Sequence, residues 1–225
     1  MNQVRSMFGK SSKSLETEVA GLVFPNPVGV PYSLKKHRFS CFHRAPKAGF
    51  FLLTPPKENV LPWIKGLESN PGDALLVVNI NTDIVRTFSL VYDFAHLLVI
   101  APDSDNGIDA TDLADTVDLL EELVSLRLCY ERYTPVFLRL SHGSTPEELH
   151  TLLDTCQLSG VDGVVVPTLS MIYKVRELTL GRVPVICQIQ DVEEGLMALH
   201  EGVSLLEAKP GFKGLSKLLK KLEKQ

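Results

Sequence analysis

The sequence carries no surplus of positive charge: 23 Lys and Arg face 27 Asp and Glu, for a formal net charge of −4. A general nucleic-acid binder needs a basic footprint, so no nucleic-acid partner is expected. Cysteine is scarce too, and the four present, Cys41, Cys129, Cys156 and Cys187, form no C-x-x-C pair. That spacing argues against a zinc ribbon or a thioredoxin-type pair, and no metal site is expected. Scattered thiols of this kind point to buried packing in a reducing cytoplasm. Long apolar runs are also missing. Stretches such as 74–80 and 96–101 fall far short of the roughly 18 residues of a membrane span, and no membrane partner is expected. The opening MNQVRSMFGKSSKSLETEVAG holds basic and hydroxyl residues without the apolar core of an export signal.

What is present is ordinary globular material, 44% hydrophobic and 22% charged over 225 residues, long enough for one sizeable core. Short runs rich in Val, Ile, Leu and Phe predict strands at 27–30, 50–53, 75–79, 97–100, 136–140, 163–166, 185–188 and 204–208. Helical segments are predicted between them, at 83–94, 111–128, 146–158, 192–201 and 215–224, with Glu147 and Glu148 following Thr145-Pro146 as a helix start should. Eight β/α repeats predict a single (β/α)₈ TIM barrel with a parallel sheet over residues 15–225, behind a flexible lead at 1–14. The alternative is an open doubly wound sheet. It would gain from G-x-G-x-x-G after the first strand, but NPVGVPYSLKK there holds one glycine.

In a barrel the chemistry gathers where the strands end. The residues there are Lys35 and Lys36, then Thr54, then Asn79 and Asn81, then Asp103 to Asn106. Arg139 and His142 follow, then Thr168, Gln188 and Gln190, and finally Lys209 with Gly211. The set is polar and cationic, without the placed Glu/His pair that a phosphosugar isomerase would require. APDSDNGID reads first as turn and N-cap chemistry. It lacks the spacing and terminal Glu of a calcium loop. His142 has no placed carboxylate partner and reads as a loop residue. The segment EAKPGFKG sets Lys209 and glycines ahead of a helix, an arrangement suited to an anionic group; the lysines beyond Lys217 read as a solvated face.

The order of these motifs resembles the FMN-dependent dihydroorotate dehydrogenases from about Leu15 onward. AGLVFPNPVGV is similar to that family's short N-terminal hairpin and first barrel strand, with Lys36 in the lysine-bearing loop that follows. AGFFLLTPP resembles the second strand with its Thr-Pro ending at Thr54. HLLVIAPDSDNGID resembles the fourth strand and the catalytic loop, PVFLRLSH the fifth strand, and GVDGVVVPT the sixth. VPVICQIQD and GVSLLEAKPGFKG are similar to the pair of strands that hold phosphate.

The resemblance implies FMN as cofactor and oxidation of dihydroorotate to orotate, a step of pyrimidine biosynthesis, with Ser104 as the base while hydride passes to the flavin. It implies substrate or cofactor contacts for Lys36, Thr54, Asn79 and Asn106. The same holds for Arg139, Thr168, Lys209 and Gly211. The sequence departs from the family pattern at Ala101 and Pro167, where asparagines are expected, at Arg139, where a lysine is, and at Ile189-Gln190, where paired glycines are. The segments near 56–73 and after 106 are also trimmed. These departures support a second expectation, a noncatalytic or repurposed barrel that binds another small anionic molecule or a protein partner. A homodimer or a partner subunit completing the site is a further expectation.

Overall fold

The computed structural model describes residues 15–32, 47–68, 75–101, 113–141 and 145–224. The chain enters through an antiparallel hairpin, β1 (Thr17–Val19) and β2 (Leu22–Phe24). Its turn puts both Ala20 and Gly21 at positive φ, 49° and 77°, as a tight two-residue hairpin turn requires. Eight strands follow: β3 (Val28–Pro31), β4 (Phe50–Leu53), β5 (Leu75–Ile80), β6 (Leu97–Ile100), β7 (Val136–Arg139), β8 (Gly163–Val166), β9 (Val185–Ile189) and β10 (Leu205–Ala208). All pair in parallel, and β10 returns to β3 to close the barrel. The helices are α1 (Val60–Glu68), α2 (Ile84–Val91), α3 (Leu113–Arg127), α4 (Pro146–Leu158), α5 (Leu169–Thr179), α6 (Val192–His200) and α7 (Leu215–Leu222). The protein is a TIM barrel with a small hairpin at its N-terminus.

Strands covered on both faces read as continuous apolar runs, and their two faces feed two cores. Phe50, Leu52, Val77, Leu97, Val99, Phe137, Val165, Ile186 and Leu205 pack inside the barrel, while Val78, Leu98, Leu138, Val164 and Leu206 face the helices. Val19 and Phe24 of the hairpin join the inner cluster. Phe24 meets Phe50 edge to face at 5.5 Å, so the hairpin plugs the N-terminal end of the barrel. Two glycines make room for the inner aromatics: a Cβ at Gly29 would overlap the Phe50 ring, and one at Gly163 the Phe137 ring.

Asn26, 7% exposed, ties this entrance together. Its side-chain oxygen accepts from Val28 N at 3.1 Å and its amide donates to Lys47 O at 3.0 Å. The Asn-Pro motif of the first strand is therefore a structural clamp.

Side chains cap the starts of α4 and α6. Thr145 caps α4 reciprocally: its hydroxyl accepts from Glu148 N at 3.3 Å, and the Glu148 carboxylate accepts from Thr145 N at 2.7 Å.

His96, ahead of β6, accepts the Leu76 N–H through Nδ1 at 3.1 Å, a bond only the neutral ring can make. Burial, and then the charge of Arg132, push its pKa below the ordinary 6.5. The unfolded imidazole therefore takes up a proton at a pH where the folded one does not. This contribution to stability is complete above about pH 6.5 and declines below it until the folded pKa is reached. The urea midpoint is expected to fall more between pH 7 and pH 5 in the native sequence than in His96→Asn, whose oxygen offers the same acceptor without titrating. Parallel pH profiles of the two proteins would contradict this role.

Candidate functional site

Along each strand the inward positions alternate, and toward the C-terminal end the apolar inner ring gives way to polar groups. Asn79 lies two residues beyond Val77, Arg139 two beyond Phe137, Gln188 two beyond Ile186 and Glu207 two beyond Leu205. The four join in one network. Arg139 Nη2 donates to Glu207 Oε2 at 2.8 Å, Arg139 Nε donates to Asn79 Oδ1 at 3.2 Å, and Gln188 Nε2 donates to Glu207 Oε1 at 2.8 Å. Arg139 is 8% exposed and Glu207 5%, so this ion pair lies in a low-dielectric setting where charges act strongly on each other. Both carboxylate oxygens and two guanidinium nitrogens are engaged.

The other expected residues are spread around this core. Thr54 is exposed just past β4. Thr168 occupies the N-cap position of α5 and pairs its hydroxyl with Ser170 at 3.0 Å, making no side-chain cap bond to the helix. Lys209 is half-buried past β10, and its N–H donates to Ile189 O at 2.9 Å. Among the described residues its ammonium has no ion pair. Gly211 follows at φ +91°, with open space where a side chain would be. α7 then starts at Gly214 without a side-chain cap. Ser104, Asn106, Lys36 and His142 lie outside the described residues.

The turn after β9 is acidic. Asp191 accepts from the N–H groups of Glu193 and Glu194 at 2.9 Å each, and Glu194 accepts from Gln190 N–H at 2.6 Å. Glu193 is in turn paired with Lys221 of α7 at 2.6 Å. Carboxylates of the chain thus occupy the donors that an incoming anion would use at this helix start. Beside this turn, Cys187 has its pKa pushed up to about 12, first by burial and then by the Glu194 charge, with Lys209 opposing. Burial likewise raises Cys156 to about 12; both are thiols at neutral pH and not nucleophiles.

Glu207 is the residue that sequence reasoning missed. It sits inside the run SLLEAK, which reads as a plain buried strand. Separating the run by parity would have found it, since Leu205, Glu207 and Lys209 share the inward face. Gln188 was visible as a strand-end residue, but its partner was not.

FMN needs a place for its phosphate and an environment suited to its ring. At the β9 turn the N–H groups of Gln190, Glu193 and Glu194 are spent on Asp191 and Glu194, two carboxylates that would repel a phosphate dianion there. Inside the mouth, the Arg139 charge is spent on Glu207. The residues present do not fit the group at either point.

No family model matches the sequence, and no curated protein matches it. Solved structures do. Dihydroorotate dehydrogenase (DHODH) from Eimeria tenella in complex with ferulenol matches with a TM-score of 0.71 at 15% identity, covering 89% of this chain and 80% of that one. The ligand-free enzyme from the same organism matches with a TM-score of 0.65 at 16% identity, covering 89% and 83%. The fold is DHODH-like. At this identity the likeness is one of backbone, and the DHODH-like barrel here carries its own set of strand-end side chains. Among the described residues no helix is long and apolar enough to cross a membrane.

Proposed function

We propose that this chain is a repurposed DHODH-like barrel that binds a small polar molecule at the C-terminal mouth without flavin-dependent dehydrogenation. The observation that carries this reading is the Arg139–Glu207 pair, 2.8 Å apart and buried. A cation already neutralised by its own chain cannot serve as the strong electrostatic partner that a developing negative charge on a cofactor or substrate requires. The acidic turn at Asp191 supports the same reading from the phosphate side.

The second reading is the family reaction, oxidation of dihydroorotate with FMN, with Ser104 as base and Lys36 and Asn106 as ligand contacts. The DHODH-like fold favours it. The two separate in one assay: purified protein is supplied with FMN, dihydroorotate and a dye acceptor, and orotate is measured. The proposed function predicts no orotate above the protein-free control. Orotate formation that disappears in Ser104→Ala would reinstate the dehydrogenase.

A further inference from the structure

We infer that Glu207 acts as a built-in counter-anion that sets ligand charge preference: over Arg139 the mouth accepts an uncharged hydrogen-bonding group and turns away an anion. This inference rests on the ligand-binding reading above and specifies the ligand. Its basis is the donor and acceptor count of the four-residue network. Arginine only donates and an ionised carboxylate only accepts, so both amides are pinned. Asn79 must turn its oxygen to Arg139, which leaves its NH2 unused. Gln188 must turn its NH2 to Glu207, which leaves its oxygen unused.

Neither free amide end has a partner among the described residues. Asn79 and Gln188 are half-buried, and neither is among the sealed, unpaired polar groups. The mouth therefore offers a donor on the β5 side, an acceptor on the β9 side and no net charge between them. An anion placed over Arg139 would be drawn by the guanidinium and repelled at nearly the same range by Glu207, while still losing its hydration. A carboxamide loses less water and can bond to either amide.

Benzamide and benzoate are suitable probes, because they share shape and differ in charge. Binding is followed by amide-shift NMR and by thermal shift on the full chain. The native protein is expected to bind benzamide at least tenfold more tightly than benzoate. Glu207→Gln is expected to reverse that order, with benzoate gaining at least tenfold and raising the melting temperature of the variant as it replaces the missing counter-charge. Gln188→Lys keeps a partner for Glu207 while adding one positive charge, so it tests the same shift if Glu207→Gln folds poorly. Arg139→Gln/Glu207→Gln, with neither charge, should lose the benzoate gain.

Three results would overturn the inference: benzoate binding the native protein as well as benzamide, a preference unchanged in Glu207→Gln and Gln188→Lys, or no benzamide binding to the native protein at millimolar concentration. Orotate formation in the flavin assay would instead sink the ligand-binding reading, so the two failures are told apart.

Discussion

Replacing Glu207 by leucine is expected to cost the protein about 3 to 5 kcal/mol, because Arg139 is left as a buried charge with no counter-ion. Arg139 is 8% exposed, too little to recover its hydration where it stands. Against a typical total of about 5 to 15 kcal/mol for a folded domain, that is a large loss. Arg139→Met should cost a comparable amount, since Glu207 would keep only the Gln188 amide. The double variant Arg139→Met/Glu207→Leu removes both charges together, and apolar replacement of a whole buried pair is often close to neutral. Its cost is therefore expected to be smaller than either single loss, and so to fall below their sum by more than the roughly 0.5 to 3 kcal/mol usual for residues in contact. Urea midpoints of the four proteins give the cycle. Additive losses would mean that the two side chains do not act as a pair.

A second large effect is expected from one methyl group. Gly49 precedes β4, its N–H donates to Val28 O at 2.7 Å, and a Cβ there would collide with the backbone carbonyl of Asn26. A flexible side chain could step aside, but this oxygen cannot. Asn26 is held through its own side chain to both Val28 and Lys47, on either side of the entry to β3 and β4. Gly49→Ala must therefore displace the start of two barrel strands, and a loss at or above the 1 to 3 kcal/mol of ordinary overpacking, at about the upper end, is expected. Gly181→Ala serves as comparison. It has open space around the added carbon and only the left-handed backbone, φ +69°, to penalise it, at about 1 kcal/mol. Equal melting temperatures for the two variants would show that the Asn26 clamp yields easily.

Much of this architecture was legible in the residues, for a physical reason. A parallel strand buried on both faces has to be apolar throughout, so runs such as Phe50–Leu53, Leu97–Ile100 and Gly163–Val166 announce themselves within a residue of their ends. Eight of them suggested the barrel, and the pairing of β10 with β3 completes it. Two helices were not among those expected. α1, VLPWIKGLE, carries an internal proline and glycine that lower its intrinsic helical preference, and packing overrides both. α5 does bury Met171, Ile172, Val175 and Thr179 along one side, a helical spacing present in the sequence and hidden by its start right behind the β8 run.

The site was less legible than the scaffold. Arg139 could be placed at a strand end and read as a free cation, because its counter-ion lies 68 residues away in sequence, and only closure of the barrel brings β7 and β10 across from each other. The helix expected at 192–201 is present as α6, with Asp191 as its N-cap. What spacing did not reveal is that the carboxylates of Asp191 and Glu194 take up the N–H groups of Gln190, Glu193 and Glu194 in the turn after β9. The resemblance to dihydroorotate dehydrogenases thus led to the correct fold, while long-range pairing altered the electrostatics at the mouth.

The measurement that tests the central claim most directly is the flavin content of the purified chain after incubation with excess FMN and desalting, read from its visible spectrum and by mass spectrometry of released cofactor. A mouth neutralised by Glu207 and a β9 turn filled by its own carboxylates predict a colourless protein with no retained flavin. Flavin held in equimolar amount, and bleached anaerobically by dihydroorotate, would contradict the account.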